Sequence, residues 1–514
     1  MHISRAAGAI VLLFFVGVPG AGFTVSAQLP VGRTLTPEAQ LTRGDQMFAA
    51  RRYQEAFTAY DAARGSERPG TRIRAGAGQV QTLMRLSLFF EAARMGAAVA
   101  SRDPDQAAAL AVHGDALWAA GLFDEAERRY DEALTRDARE ALALHGKGRA
   151  LAARRQLDPA LELLKRAIAV DKRQAAFHYT IAGVYEEQRD FREAARALDR
   201  YRDTVPSKEM DDLTLWAQAQ ADFLRSFGTR QPYEFLTADT VYTVPLILDD
   251  DRVKVRGQLN GRETVDFVLD TGADRTTLTP ETASRAGVVP VRTLQTAGVG
   301  AVGVGYRGLQ VARIDELQVG ELRIAQVGAL IKSPSMPGLP RPEGAGFSPL
   351  SMGLSIEVDY GAGTLTMGRL LPPRDFPISL PLRMLRLPFV RGTLNGSTPV
   401  NLAIDTGGTA ISLSRRAAGR LETPTARLVP AKVFGTSGWD PSAFLLPYVD
   451  VEVAPGVGSS QRSVVVLNLD APSALLGFEL GGILGHEFLS RFVVRIDLAR
   501  GLVGLWPRPG APTR

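Results

Sequence analysis

The chain of 514 residues contains no cysteine. Disulfides, thiolate metal sites and cysteine nucleophiles are therefore excluded. Histidine is scarce: His2, His113, His145, His178 and His486 are the whole set. His486-Glu487 opens like a zinc-site motif, but Ser490 stands where its second histidine belongs. His113, His145 and His178 recur at nearly regular spacing in the first half, which marks packing or surface positions of a repeat rather than metal ligands. Charge of one sign is lacking too. Sixty basic side chains meet 55 acidic ones, a net charge of +5. The excess is interleaved with acids, as in Glu193-Ala194-Ala195-Arg196, which describes solvated helix faces. No aromatic-rich basic motif points to nucleic acid. Long apolar runs are also absent: Ala9–Val16 is too short to span a bilayer, and no later segment qualifies.

That short run has a different reading. His2 and Arg5 precede it, and Val25-Ser26-Ala27 follows with small residues suited to cleavage. Residues 1–27 are expected to be a secretory signal peptide, with an uncleaved anchor as the alternative. No cysteine follows the run, so lipid anchoring is excluded. The expected compartment is a bacterial periplasm or the exterior.

The most informative feature is a duplication. Asp270-Thr271-Gly272-Ala273 and Asp405-Thr406-Gly407-Gly408 lie in matching contexts. Val255-Arg256-Gly257-Gln258-Leu259-Asn260-Gly261 precedes the first, and Val390-Arg391-Gly392-Thr393-Leu394-Asn395-Gly396 the second, at a constant offset of 135 residues. Thr264–Leu269 and Val400–Ile404 read as strands running into each aspartate. Asn260-Gly261 and Asn395-Gly396 suit tight hairpin turns, because that dipeptide tolerates positive φ at both central positions. After each triplet, Leu278-Thr279-Pro280 and Leu413-Ser414 predict a short strand ending at a helix N-cap. Two such units related by a pseudo-twofold axis would set two carboxylates face to face.

On these motifs residues 241–508 resemble the aspartic peptidases, and in particular their retropepsin-like group. The resemblance implies two homologous all-β lobes, 241–370 and 380–508. It implies Asp270 and Asp405 as the catalytic pair, with Thr271, Gly272, Ala273, Thr406, Gly407 and Gly408 as supporting loop residues. The threonine hydroxyls would lock the two loops together. Gly482-Ile483-Leu484-Gly485 resembles the family's hydrophobic-hydrophobic-glycine segment. In the first unit Gly344-Ala345-Gly346 stands in that place without the bulky pair, and Gly408 stands where a Ser, Thr or Ala is usual. The glycine-rich run 296–308 resembles a mobile flap, with Gly300, Gly303 and Tyr306 as substrate-covering candidates and Trp439 in the second-unit counterpart. That run lacks the Gly-Lys-Ser/Thr of a nucleotide loop. No metal and no organic cofactor is called for.

The first half repeats as well. Tyr53-Gln54-Glu55-Ala56, Phe89-Phe90-Glu91-Ala92, Phe123-Asp124-Glu125-Ala126, Leu157-Asp158-Pro159-Ala160 and Phe191-Arg192-Glu193-Ala194 start 36, 34, 34 and 34 residues apart. This period resembles tetratricopeptide repeats, stacked pairs of helices that usually hold a peptide or protein. Gly44, Gly76, Gly114, Gly146 and Gly183 fall near the close-packing position of each first helix. Residues 36–228 are expected as this array with a capping helix, and 229–240 as a linker. The expected architecture is thus multidomain α + β: an all-α tetratricopeptide solenoid followed by an all-β aspartic-peptidase-like pseudo-dimer. The implied function is an exported endopeptidase acting on a peptide or protein substrate, with the array recruiting substrate or partner. The alternative is a catalytically inactive peptide-binding scaffold.

Overall fold

The structure is a computed structural model that describes residues 35–205, 212–238, 240–249, 252–296, 307–332, 344–421, 428–431, 433–435 and 438–510. The expected signal peptide and the flap candidates Gly300, Gly303 and Tyr306 lie outside the described residues. No helix among the described residues is long and apolar enough to cross a membrane.

Ten helices from Pro37–Ala49 to Phe191–Thr204 form five antiparallel pairs, and an eleventh, Asp212–Arg225, follows them. Each landmark found in the sequence opens the second helix of a pair. Two residues before it, Arg51, Ser87, Gly121, Arg155 and Arg189 all take positive φ, so one left-handed residue makes every intra-repeat turn. The repeating glycines are close-packing positions at four of five places. A Cβ on Gly44 would stand 2.5 Å from the Tyr60 ring and one on Gly114 2.5 Å from the Tyr130 ring. Val99 blocks Gly76 and Tyr130 blocks Gly146 in the same way. Gly183 differs, since its Cβ would meet open space. The three histidines are buried, and His145 stacks on Phe177 at 4.6 Å. No group of residues suited to a metal occurs among the described residues.

The β half is two closed barrels with the same strand plan. In the first, Glu263–Leu269 lies between antiparallel Arg252–Leu259 and parallel Gly346–Phe347. In the second, Thr398–Ile404 lies between antiparallel Leu387–Leu394 and parallel Gly482–Leu484. Pairing of Arg307–Val319 with Leu322–Ile331, and of Phe444–Ala454 with Val457–Leu467, closes each barrel. The hairpins turn at Asn260-Gly261 (φ 51° and 63°) and Asn395-Gly396 (φ 48° and 73°). Thr279 and Ser414 cap the two helices that follow the aspartate loops, accepting the N–H groups of Thr282 and Ala417.

A third sheet joins the lobes from below. Its six strands are Ile378–Pro381, Leu502–Pro507, Phe492–Asp497, Ser355–Asp359, Thr364–Gly368 and Val241–Pro245, in that order. At its centre Glu357 pairs with Arg495 across the lobe boundary, and the guanidinium donates to the carboxylate at 2.7 and 2.8 Å.

The helical array packs directly on both lobes. Residues 229–240, expected as a linker, include the strand Glu234–Phe235, which pairs with Leu322–Ile331 of the first barrel. Tyr233 is 6% exposed and lies in a core shared by the last repeats and both barrels. A second shared core joins Trp118 and Phe123 to Phe389, Phe478 and Leu480 of the second lobe. Polar contacts tie the same surfaces. Asn401 Nδ2 donates to the Gly121 carbonyl at 3.0 Å, and the Glu479 N–H donates to that of Ala119 at 2.8 Å. Arg383 reaches Asp124 and Glu127, and Arg391 reaches Glu125.

Candidate active site

Each aspartate ends the central strand of its barrel, where the parallel neighbour holds its main chain. The Asp270 N–H donates to Phe347 O at 2.9 Å and the Asp405 N–H to Leu484 O at 3.0 Å. This correspondence corrects the motif alignment of the first lobe. Gly346-Phe347-Ser348, not Gly344-Ala345-Gly346, occupies the place of Ile483-Leu484-Gly485. Phe347, 0% exposed, supplies the bulky apolar residue that the sequence comparison missed. Gly346 replaces the other bulky residue because a Cβ there would lie 2.7 Å from Thr277 Oγ1 and 3.4 Å from Asp270 Oδ2.

The two loops meet at the lobe boundary. Thr271 Oγ1 donates to Ile404 O at 2.7 Å and accepts the Thr406 N–H at 3.0 Å. Thr406 Oγ1 donates to Leu269 O at 2.6 Å and accepts the Thr271 N–H at 3.1 Å. Both threonines are buried. The glycines that follow then abut the opposite carboxylates. A Cβ on Gly272 would stand 2.6 Å from Asp405 Oδ1, and one on Gly407 would stand 2.9 Å from Asp270 Cγ. A side chain at either glycine would fill the space between the loops, so the two carboxylates converge because both positions lack one.

Electrostatics follow from this crowding. Burial, and after it the Asp405 charge, raises the Asp270 carboxyl to about 7, against the pull of Lys332 and the N–H groups of Gly272 and Ala273. Burial raises Asp405 as well, against donation from the N–H groups of Gly408, Gly407 and Gly272. Two close, poorly hydrated carboxyls hold one proton between them more readily than none.

Gly408 also has a physical reason. Its N–H donates to Asp405 Oδ1 at 3.0 Å, and a Cβ there would lie 2.9 Å from Asp405 Oδ2. The loop wraps the carboxylate too tightly for the usual Ser, Thr or Ala. Ala273 sits in the equivalent place of the first loop, where its carbonyl accepts from Ser348 Oγ at 2.6 Å. In the second loop the main chain does this work: the His486 N–H donates to Gly408 O at 2.7 Å and the Glu487 N–H to Thr409 O at 2.9 Å. Trp439 lies apart from the aspartate loops in sequence, on the small hairpin of Val433–Gly435 and Gly438–Asp440, where its main chain pairs with that of Phe434. Sequence reasoning did not single out Ser348, Arg275 or Arg386. Arg386 lies 4.0 Å from Asp274, at the outer edge of the first loop.

Residues 255–339 match a family described as gag-polyprotein putative aspartyl protease. The matched span includes the Asp270 loop. No curated protein matches the chain. Among solved structures, the chain is similar to a thermophilic tetratricopeptide protein of Thermus thermophilus, with 21% identity, TM-score 0.29, and coverage of 34% of this chain and 93% of that one. It is also similar to PilF of Pseudomonas aeruginosa, with 14% identity, TM-score 0.27, and coverage of 37% and 84%. Yeast Tom70 is similar at 19% identity, TM-score 0.28, and coverage of 37% and 40%. With paired helices at a 34-residue period and two closed barrels, the first overlapping the matched span, the chain carries an aspartyl protease-like domain behind tetratricopeptide-like helical repeats.

Proposed function

We propose that this protein is an exported aspartic endopeptidase whose Asp270 and Asp405 carboxyls share one proton and activate one water. The observation that carries this reading is the reciprocal threonine lock, which converges the two loops on a shared point. The ionised carboxyl takes a proton from the water as it attacks the scissile carbonyl. The protonated carboxyl donates a hydrogen bond to that carbonyl, and the proton is passed on to the leaving amine. Gly272 and Gly407 keep the centre narrow enough for one water, and the surrounding N–H groups stabilise whichever carboxylate is charged.

The repeats recruit a substrate or partner protein in this reading. Their last three pairs are committed to the β half, and Phe89 and Phe90 of the second pair also meet the second lobe, so that task falls to the first pair, whose core around Leu41 and Tyr60 contains no residue of the lobes. The test is digestion of a peptide library by the full-length protein beside Asp270→Asn. Cleavage by the parent and none by the variant is the expected result. Cleavage by both, or loss of turnover to a metal chelator, would replace the dyad with another mechanism, and no cleavage by the parent would leave a peptide-binding scaffold.

A further inference from the structure

The two aspartate loops are supported in different ways. The second loop is held at its outer residues by its own lobe, through the N–H groups of His486 and Glu487. The first loop has one such tie, from Ser348 Oγ to Ala273 O at 2.6 Å, and reaches outward as well. Arg275, five residues after Asp270, stacks on Phe223 of the last helix at 4.7 Å. Its Nη2 donates to Gln220 Oε1 at 2.7 Å, and Gln220 Nε2 donates to Glu186 Oε2 at 2.7 Å. Gln220 is 0% exposed, so this relay is buried at its middle. The contact therefore runs from the helix Ala175–Glu187, through the helix Asp212–Arg225, into the loop that carries Asp270.

A second arginine closes the junction. Arg386 leads into the second lobe and stacks on Trp216 at 4.4 Å. Its Nη2 donates to Tyr179 Oη at 3.1 Å, and its Nη1 lies 4.0 Å from Asp274. Glu186 sits in the field of both Arg275 and Arg386. Three bodies (array, first loop, second lobe) thus share one polar cluster, buried at Gln220 and open to solvent at Asp274. A polar group so placed is costly to leave unpaired, so the cluster has one satisfied arrangement and favours the loop position that completes it.

We propose that Arg275 is a positioning residue for Asp270, held by the helical array through Gln220 and Glu186. The array then takes part in catalysis by fixing one half of the dyad, in addition to any recruitment. This rests on the dyad reading given above, and its test separates the two.

A matched control exists on the same interface. Arg313, on a barrel strand away from the loop, donates to Ser226 O at 2.9 Å and faces Phe227 at 5.9 Å. Full-length Arg275→Met, Gln220→Ala and Arg313→Met are compared with the parent for short-peptide kinetics and for amide exchange by mass spectrometry. Arg275→Met and Gln220→Ala are expected to lower kcat roughly tenfold with KM within about twofold, as displacement of a reacting group does. Exchange over residues 271–276 rises about fivefold, while residues 405–410 stay as in the parent. Arg313→Met changes none of these. Parent-like exchange over 271–276 in Gln220→Ala overturns the proposal, and so does an equal loss of kcat in Arg313→Met. A parent protein without turnover sinks the dyad reading alone, and the exchange measurement still decides whether the array holds the loop.

Discussion

Thr271 and Thr406 hold each other: each hydroxyl accepts the other's main-chain N–H and donates to the carbonyl of the residue before the opposite aspartate. The four bonds are buried and cross the lobe boundary, so they set the separation of the two carboxyls as well as the stability of the pairing. Thr271→Val keeps the shape but orphans the Thr406 N–H and the Ile404 carbonyl. It should cost on the order of 3 kcal/mol, two unsatisfied buried groups at typical cost, and remove most turnover. Thr271→Ser keeps the hydroxyl and should stay within about 1 kcal/mol of the parent. Urea unfolding and peptide hydrolysis on the same preparations check both.

The dyad should behave as one unit. Asp270→Asn and Asp405→Asn are each expected to abolish nearly all turnover, with the double variant little worse than either. Independent, multiplying losses would mean that the two side chains serve different steps. Steady-state kinetics on a single peptide decides this.

Asp270 gives a pH dependence with a definite sign. Its carboxyl is raised to about 7 in the folded chain, against an unfolded value of about 3.9. The native state therefore binds this proton more tightly than the unfolded chain does. Its contribution to stability is complete below the unfolded value and is lost as pH rises through that window. Asp270→Asn should flatten the decline of the urea midpoint between roughly pH 4 and pH 8. Peptide turnover should fall above about pH 7, where the last shared proton leaves. A parent whose midpoint rises with pH over that range, with no change in the variant, would contradict the assigned direction.

Much of this was legible in the sequence, for local reasons. Asp-Thr-Gly, Asn-Gly and Thr-Pro each act through their own backbone, so the loops, hairpins and caps could be read one residue at a time. The repeat landmarks likewise report a turn made within a few residues. The register of Gly346-Phe347-Ser348 was not legible, because Gly344-Ala345-Gly346 offers an equally glycine-rich match two residues earlier. Only the parallel pairing with Val268 and Leu269 chooses between them. The packing of the array on the lobes was hidden for another reason. Phe123 and Trp118 look like ordinary repeat-core residues whether they face a neighbouring helix or Phe478 of a barrel. Arg275 carries no local signal either, since its partners Gln220 and Phe223 are distant in the chain.

That hidden interface changes what separation of the halves should do. Different periodicities and a linker at residues 229–240 would let the β half fold alone. In the structure Phe389 and Phe478 are 0% exposed and Leu480 is 3% exposed, inside a core completed by the repeats. Removing the array would bare these residues together with Tyr233, and would leave the Asn401 amide and the Glu479 N–H without their carbonyl acceptors. Exposed aromatic clusters of that kind drive association. A form beginning near Pro232 should therefore be insoluble or loosely folded, and the whole chain from the helix Phe89–Arg102 onward should unfold in one cooperative step. Gly121→Ala tests the same interface within the intact protein. Gly121 has φ 75°, and a Cβ there would run into Asn401 Nδ2. The substitution should cost about 2 kcal/mol or more through backbone strain and the lost contact. Urea unfolding followed by tryptophan fluorescence, to which Trp118 at the interface and Trp216 in the capping helix both contribute, and by circular dichroism should give coincident curves with a lowered midpoint. A soluble truncation that cleaves short peptides at the parent rate would show that the lobes need the repeats neither to fold nor to work.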